Sequence, residues 1–171
     1  MKRTISMISL AALLLAACSP SQPTGPQIRI ESARVSPALT GMSAGMSMPG
    51  MSMPGMDMSS MAMGDITTAA YLVIVNAGNG SDALLGASSD AAKSVELHET
   101  RIENNVASMY PIAQVEIPQQ SRVEFKPGAR HLMLMGVTHD LVAGQQIQVT
   151  LRFAKTGSLT VNVPVQAEPN P

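Results

Sequence analysis

A succession of short β-type segments after Asp65 constrains the fold of this chain more than any other feature. The segments are rich in Val, Ile, Leu and Thr, and Gly, Pro, Asn or Asp separates them. Strands at spacings of roughly 8–12 residues are typical of a sandwich or barrel, and no stretch after the leader has a helical period. A further strand-like segment, IRIESARV, occupies residues 28–35. We therefore predict an all-β domain of about eight or nine strands. Since the chain has only two Tyr and two Phe, its core should be mostly aliphatic.

The N-terminus has the pattern of an export signal. Lys2 and Arg3 precede an apolar run at residues 5–15, which is shorter than the roughly 20 residues that span a bilayer. The run ends in Leu-Ala-Ala-Cys, which resembles the bacterial lipoprotein box, and Cys18 is the only cysteine of the chain. We expect Cys18 to be lipidated and to hold the protein on a membrane. The alternative is an ordinary signal peptide cleaved near Ala17.

The predicted domain boundaries follow from these changes in composition. We expect a lipoprotein signal peptide at residues 1–17, and a lipidated, proline-rich tether at residues 18–27. The β domain should occupy residues 28–168, interrupted by an insertion at residues 40–65, and residues 169–171 should form a tail.

The charge and the cysteine count exclude several classes of protein. Eleven basic residues face twelve acidic ones, and loss of Lys2 and Arg3 with the signal leaves nine against twelve, a net charge of −3. This balance excludes a nucleic-acid partner, since phosphate binding needs a basic surface. A single cysteine also excludes an intramolecular disulfide.

The insertion is unusual because of its methionines. Residues 42–63 contain nine of them and no Val, Ile, Leu or aromatic residue. Such a composition cannot build a core and predicts a flexible segment. Thioethers two or three residues apart could wrap one soft ion, so we expect secondary Cu(I) or Ag(I) binding; a sink for oxidants and a neutral insertion are the alternatives. The nine candidate ligands are Met42, Met46, Met48, Met51, Met53, Met56, Met58, Met61 and Met63.

Two of the three histidines lie in segments where strand alternation can be followed. His98 should face away from its neighbour Leu97, and both His131 and Met133 should face away from Leu132. The aliphatic residues can then fill the core while imidazole and thioether groups face outward. Taken alone, a His-x-Met pair on a strand is more often a half-buried edge than a metal site.

The full spacing favours a metal site. His98, Met109, His131 and Met133 form the pattern H-x10-M-x21-H-x-M, with AAYLVIVNAG, VELHET and KPGARHLMLMG around it. Here the chain resembles the PCuAC family of periplasmic copper chaperones, over roughly residues 67–165. It departs from that family in the methionine-rich insertion and at Ala129, where the family commonly has glycine. Neither departure touches the four motif positions.

The resemblance implies a fold, a ligand set and partners. It implies a cupredoxin-like Greek-key β-sandwich or barrel, and a Cu(I) site formed by His98, Met109, His131 and Met133. It further implies a periplasmic monomer that delivers copper to the dinuclear centre in the copper-bearing subunit of cytochrome c oxidase, alongside a Sco-type protein. The chemistry of the ligands agrees, because thioether sulfur is soft and selects Cu(I), while imidazole also suits copper. Mg²⁺ and Ca²⁺ want oxygen ligands.

Three side chains near the motif remain open. Pro111 interrupts the alternation beside Met109, so the pattern does not say which way Met109 points. Met135 shares the predicted face of His131, where packing at the edge of the site is favoured over ligation. His139 lies in a polar, turn-like Thr-His-Asp sequence and is expected to be a solvated turn residue.

Three other functions compete with a copper chaperone. An electron-transfer cupredoxin needs a cysteine thiolate with two histidines, and Cys18 is already assigned to the lipid anchor. An enzyme is disfavoured because there is no Ser-His-Asp set, nucleophile elbow, phosphate loop or CxxC motif. A copper storage or resistance protein, in which the methionine-rich insertion retains Cu(I), remains the alternative.

Overall fold

The computed structural model of the protein describes residues 24–40, 66–104 and 106–167. Ten strands make up its regular structure, and these ranges contain no helix, so no helix among them could cross a membrane. The strands are β1 (Ile28–Val35), β2 (Thr67–Asn76), β3 (Asp82–Ser89), β4 (Ala92–Glu103), β5 (Val106–Pro111), β6 (Val115–Ile117), β7 (Ser121–Phe125), β8 (Arg130–Val137), β9 (Gln146–Phe153) and β10 (Ser158–Pro164). The all-β prediction is confirmed.

The strand count exceeds the predicted eight or nine because one β-type segment of the sequence, residues 106–118, divides into β5 and β6. β5 ends at Pro111, whose ring has no N–H to offer a ladder. The next residue, Ile112, donates its N–H to the carbonyl oxygen of Leu97 over 2.8 Å. The chain then passes from the edge of β4 to the edge of β3, where β6 pairs.

The strands form one sheet that nearly closes on itself. Its order is β1-β2-β8-β4-β3-β9-β10, with β5 on β4, β6 on β3 and β7 on β2. Neighbours in this order are often distant in sequence, as in a Greek key rather than a meander. A parallel bridge joins Val35 to Val165, and Gln166 donates its N–H to the Val35 carbonyl oxygen over 2.9 Å. β1 and β10 therefore meet, which protects two sheet edges from pairing with other chains.

The interior is aliphatic, as the composition predicts. Leu132 and Leu134 of β8 are fully buried, and Leu97 of β4 packs in the same cluster. Phe125 and Phe153 are the only aromatic side chains among the buried core residues described. Truncating a buried leucine to alanine typically costs about 2–5 kcal/mol, so the inner faces of β4 and β8 are held firmly in register.

The segment 41–65, which contains the predicted methionine-rich ligands, lies outside the described residues. The residues on either side of it are attached near the end of β8. Thr40 donates both its N–H and its hydroxyl to Asp140 Oδ1, and Val137 donates its N–H to the carbonyl oxygen of Ile66 over 2.9 Å. The attachment point of Ile66, at Val137, is thus roughly 20 Å along β8 from His131, at about 3.3 Å per residue, and Asp140 lies beyond the end of the strand.

Candidate metal site

The two motif histidines lie directly opposite each other on adjacent strands. β4 and β8 pair antiparallel, and their register places His98 against His131. Side chains that are directly opposite share a face and have Cβ atoms about 4.5–5.5 Å apart. The two imidazole rings are accordingly close, with centroids 5.8 Å apart and planes tilted by 53°. Two histidines that are 33 positions apart in the sequence thus form one cross-strand pair, which we call the histidine rung.

The register also shows which way the two motif methionines face. Met133 is two residues after His131 on the same face of β8, and it pairs with Glu96 of β4. Met109 of β5 pairs with Thr100 of β4. Thr100 is two residues from His98, so the two share a face of β4. Residues directly opposite share a face, so Met109 faces the same way as His98. The structure therefore resolves the orientation that Pro111 obscured in the sequence.

His131 is less exposed than alternation alone predicts. Its side chain does face away from the Leu132 side, but the residue is only 4% exposed. Tyr71 of β2 lies beside it, with the two ring centroids 6.5 Å apart. His131 Nδ1 is 3.1 Å from the carbonyl oxygen of Ala129, which can only accept, so Nδ1–H is the donor. Nε2 is then the ring nitrogen with a free lone pair.

The two ring nitrogens of His98 have different hydrogen-bonding surroundings from those of His131. Its Nε2 lies 3.0 Å from Glu96 Oε2. Its Nδ1 is buried and has no hydrogen-bond partner among the described residues. A buried polar atom without a partner is rare and costs about 1–3 kcal/mol. An electrophile such as a metal ion would satisfy this lone pair.

An open cavity of about 420 Å³ lies over this face of the sheet. Met109, His131 and Met133 all line it, together with Tyr71 and Thr100. Met109 is 58% exposed, so one thioether stands at the entrance while His131 lies at the floor.

The structure thus brings three of the four predicted ligands to one cavity. His98 does not line it and adjoins it through His131. A larger cavity of about 560 Å³ lies beside β3, β4 and β9; Glu96 borders it, but none of the four predicted ligands does.

The other candidates of the sequence are located differently. Met135 is four residues after His131 and pairs with Ser94 on one side and Thr67 on the other. It does not line the cavity. His139 is exposed and its Nδ1 lies 3.1 Å from the Thr138 hydroxyl. The predicted lipidation residue, Cys18, and the nine methionines of residues 42–63 lie outside the described residues.

Two residues of the site escaped the sequence interpretation. Glu96 occupies the same face as His98, two residues before it, and strand alternation could have located it. Tyr71 comes from β2, and only the pairing of β2 with β8 brings its ring to His131. The guanidinium of Arg34 lies 4.8 Å from the centroid of the Tyr71 ring, a cation–π distance, so Tyr71 has a partner on β1 as well as His131.

The donor set limits what the site can bind. In the described part of the chain, no three side chains among His, Cys, Asp and Glu come together as a metal site. The side chains that the motif brings to this face are imidazoles and thioethers. Such a set suits a soft ion and lacks the oxygen ligands that Ca²⁺ and Mg²⁺ require.

The fold is a nearly closed all-β domain, and one face of it carries two adjacent imidazoles with thioethers nearby. These features place the chain among small candidate metal-binding proteins. The chain belongs to the LpqE-like family, whose model, described as "Putative lipoprotein LpqE-like", matches residues 28–165. It is 42% identical over 100 residues to "Putative lipoprotein Lxx21020" of Leifsonia xyli subsp. xyli. It is 37% identical over 108 residues to the uncharacterized protein RP573 of Rickettsia prowazekii.

These alignments cover 58% and 61% of this chain, and 60% and 58% of the two relatives. The chain thus spans about three fifths of the length of the curated relatives it matches.

Solved structures share the fold. A copper-bound PCuAC domain from PmoF2 superposes with a TM-score of 0.56 at 22% identity, covering 82% of this chain and 93% of that domain. The solution structure of CuI-DR1885 from Deinococcus radiodurans gives a TM-score of 0.53 at 21% identity, covering 81% of this chain and 79% of DR1885. An apo PCuAC domain from PmoF1 also has a TM-score of 0.56, at 16% identity. At these identities the likeness is one of fold.

Proposed function

We propose that this protein is an extracytoplasmic copper-binding protein that holds Cu(I) through His98, Met109, His131 and Met133. The proposal is carried by one observation: His98 and His131 lie directly opposite each other on β4 and β8, with ring centroids 5.8 Å apart. Imidazole nitrogens bind first-row metals at about 2 Å, so two rings that share an ion have centroids up to about 6 Å apart. The observed separation lies within that limit.

The two thioethers complete a set suited to a monovalent, soft ion. Met133 is two residues after His131 on the same face of β8. Met109 is on the same face of the β4–β5 hairpin as His98. Neutral imidazole and thioether ligands add no charge to the ion, and thioether sulfur favours Cu(I) over harder divalent metals. The fold shared with a copper-bound PCuAC domain and with CuI-DR1885 supports this choice of metal.

The exposure of Met109 supports delivery rather than permanent retention. A ligand that is 58% exposed can be replaced by a ligand of another protein without unfolding the domain. We propose that the acceptor is the copper-bearing subunit of cytochrome c oxidase, whose dinuclear centre would receive the ion, and that a Sco-type protein takes part. The protein would act as a monomer and would carry out no catalysis.

The cellular location proposed for this activity is the periplasmic side of a membrane. Membership of a family of lipoproteins and the single cysteine at position 18 support a lipid anchor at Cys18. The anchor would keep the copper site close to a membrane-bound acceptor.

Storage or copper resistance is the second candidate, because nine methionines lie within residues 42–63. If they bind Cu(I), the intact chain should bind more than one ion, and deletion of residues 42–63 should reduce the stoichiometry to one. Thioether chains that must become ordered on binding pay a conformational cost, so these ions should be held more weakly than the ion on the sheet.

A transfer experiment tests the proposed function directly. The Cu(I)-loaded chain without residues 42–63 is mixed anaerobically with the soluble copper domain of the oxidase subunit, and the two proteins are then separated and analysed for copper. We expect the ion to move to the acceptor. A variant that binds one Cu(I) but does not release it to this domain would contradict delivery, and a variant that binds no Cu(I) would exclude the proposed site. Storage by the methionines is tested separately, by the stoichiometry of the intact chain.

A further inference from the structure

The two nitrogens of the His98 ring have unlike surroundings, and this difference carries an inference that rests on the proposed function. Nε2 has a carboxylate oxygen 3.0 Å away, whereas Nδ1 is buried with no hydrogen-bond partner in the described part of the chain. The side chain of His98 is 12% exposed and that of Glu96 is 49% exposed. The ring is therefore enclosed while its partner reaches it from the solvent side.

Strand geometry explains why Glu96 is available to His98. The two residues are two apart on β4, so both side chains stand on the same face of the sheet. Leu97 between them is buried in the core, which holds this stretch of the strand in place. A carboxylate can only accept, so the hydrogen bond to Glu96 requires a proton on Nε2 of His98. The neutral ring must then carry its lone pair on Nδ1.

His131 shows the opposite arrangement across the rung. Its Nδ1 donates to the carbonyl oxygen of Ala129 over 3.1 Å, so the lone pair is on Nε2. Each histidine thus has one nitrogen committed to a protein acceptor and one left over. The tautomers are complementary rather than alike, because a side-chain acceptor fixes one ring and a backbone acceptor fixes the other.

We propose that Glu96 is a positioning residue that presents His98 to Cu(I) through Nδ1, while His131 binds the same ion through Nε2. Metal-binding histidines usually donate their other N–H to a carboxylate or a carbonyl, which fixes the tautomer and the ring orientation. Both kinds of partner are present here. Glu96 also contributes a negative charge beside a site whose ligands are neutral, which favours a cation.

The tautomer can be measured without any metal. In the intact chain labelled with ¹⁵N-histidine at neutral pH, long-range ¹H–¹⁵N correlation spectra distinguish a protonated from an unprotonated ring nitrogen. We expect the Nε2–H form for His98 and the Nδ1–H form for His131. In Glu96→Ala the His98 ring should lose this preference, and Glu96→Gln should retain it, since the amide oxygen of glutamine still accepts from Nε2–H. An Nδ1–H form of His98 in the wild type would overturn the proposal.

Adding Cu(I) to the same samples under argon tests the ligand atoms. We expect the largest ¹⁵N shifts at Nδ1 of His98 and at Nε2 of His131. Competition with a Cu(I) chelator should show a loss of about 10–100-fold in affinity at this site for Glu96→Ala, the range typical of such partner residues. Glu96→Gln should lose less. Glu103→Gln is the matched control, because it removes one exposed carboxylate from the same strand and should leave the affinity unchanged.

The outcomes separate this proposal from the proposed function. If Cu(I) shifts Nε2 of His98 instead, or if Glu96→Ala binds as tightly as the wild type, the role of Glu96 is wrong while the copper site stands. If Cu(I) shifts neither histidine, the proposed copper site itself is wrong, whatever the tautomers are.

Discussion

Two buried polar groups of this domain differ in how completely their surroundings satisfy them. Asp82, at the start of β3, is 2% exposed, and both carboxylate oxygens accept hydrogen bonds from the β9–β10 turn. Oδ1 accepts from the N–H of Lys155, and Oδ2 accepts from the N–H and the hydroxyl of Thr156, at 2.6–2.9 Å. His98 is also largely enclosed, yet its Nδ1 has no partner in the described structure.

The difference is the one expected between a structural group and a group that binds a ligand. A fully satisfied buried carboxylate ties two segments together and has no capacity left for chemistry. An unsatisfied buried nitrogen costs stability, and the cost is recovered only when something binds. Asp82 should therefore govern stability without affecting metal binding, and the histidine rung should do the reverse.

The largest effect is expected at the histidine rung. In the chain lacking residues 42–63, His131→Ala or His98→Ala should weaken Cu(I) binding more than about 100-fold, since loss of a partner residue alone costs about 10–100-fold. Chelator competition measures this affinity. His139→Ala is the control, because His139 is an exposed histidine on the segment after β8. Equal affinities in all three variants would remove the histidines from the site.

Sequence reasoning predicted the fold class and the composition of the core because both depend on local pattern. Alternation places Leu132 and Leu134 inside, and they are fully buried. The H-x10-M-x21-H-x-M spacing identified candidate ligands, whose binding role is still a prediction. The burial of His131, in contrast, depends on Tyr71 from a strand 60 residues earlier, and no local pattern contains that contact.

The strand count and the contact of Glu96 with His98 were missed for different reasons. Proline at position 111 signals an interruption, but the divided segment pairs with two different strands, β4 and β3, which spacing cannot predict. Glu96 was visible in VELHET as a residue on the His98 face. Its proposed role rests on the 3.0 Å approach to Nε2 and on the absence of a partner at Nδ1 in the described structure.

The next effect in size concerns the stability of the fold at Asp82. Asp82→Ala should lower the free energy of unfolding by about 1–3 kcal/mol, since it leaves the buried N–H of Ala83 and the partly buried N–H groups of Lys155 and Thr156 without their acceptor. Urea unfolding monitored by far-UV circular dichroism measures this loss. Cu(I) affinity should be unchanged, and a parallel loss of affinity would contradict the division of roles between the two regions.

A decrease in pH should reveal the contribution of the Asp82 carboxylate to stability. Burial raises the pKa of Asp82, but hydrogen bonds from the Thr156 hydroxyl and from backbone N–H groups outweigh it and hold the pKa below its ordinary value of 3.8. A lowered pKa in the folded state gives stability that is present above the unfolded pKa and is lost as the pH falls through the folded one. Wild-type stability should therefore fall below about pH 4, and Asp82→Asn should show a shallower fall in urea unfolding between pH 6 and pH 3.

A smaller effect is expected at the motif methionines. Met133→Leu and Met109→Leu nearly conserve volume and should cost less than about 1.5 kcal/mol of stability, but each removes one thioether. We expect losses in Cu(I) affinity smaller than those at the histidines. Met109→Leu should have the weaker effect, because Met109 is 58% exposed and its more mobile sulfur pays a larger ordering cost on binding. A larger loss at Met109 than at Met133 would reverse this ranking.

The smallest effect should come from Met135→Leu, which makes it the most discriminating control for Met133. Both methionines lie on the same face of β8, but they lie at different distances from His131. Met133 is two residues from His131, or about 6.6 Å along the strand, whereas Met135 is four residues away, or about 13 Å. Met135 also pairs with Ser94 and Thr67 and does not line the cavity. A thioether at that distance cannot share an ion with His131, so chelator competition should show less than about a twofold change in Cu(I) affinity. A loss at Met135→Leu as large as that at Met133→Leu would mean that the ion lies further along β8 than the rung of His98 and His131, and the site would have to be redrawn around the methionines.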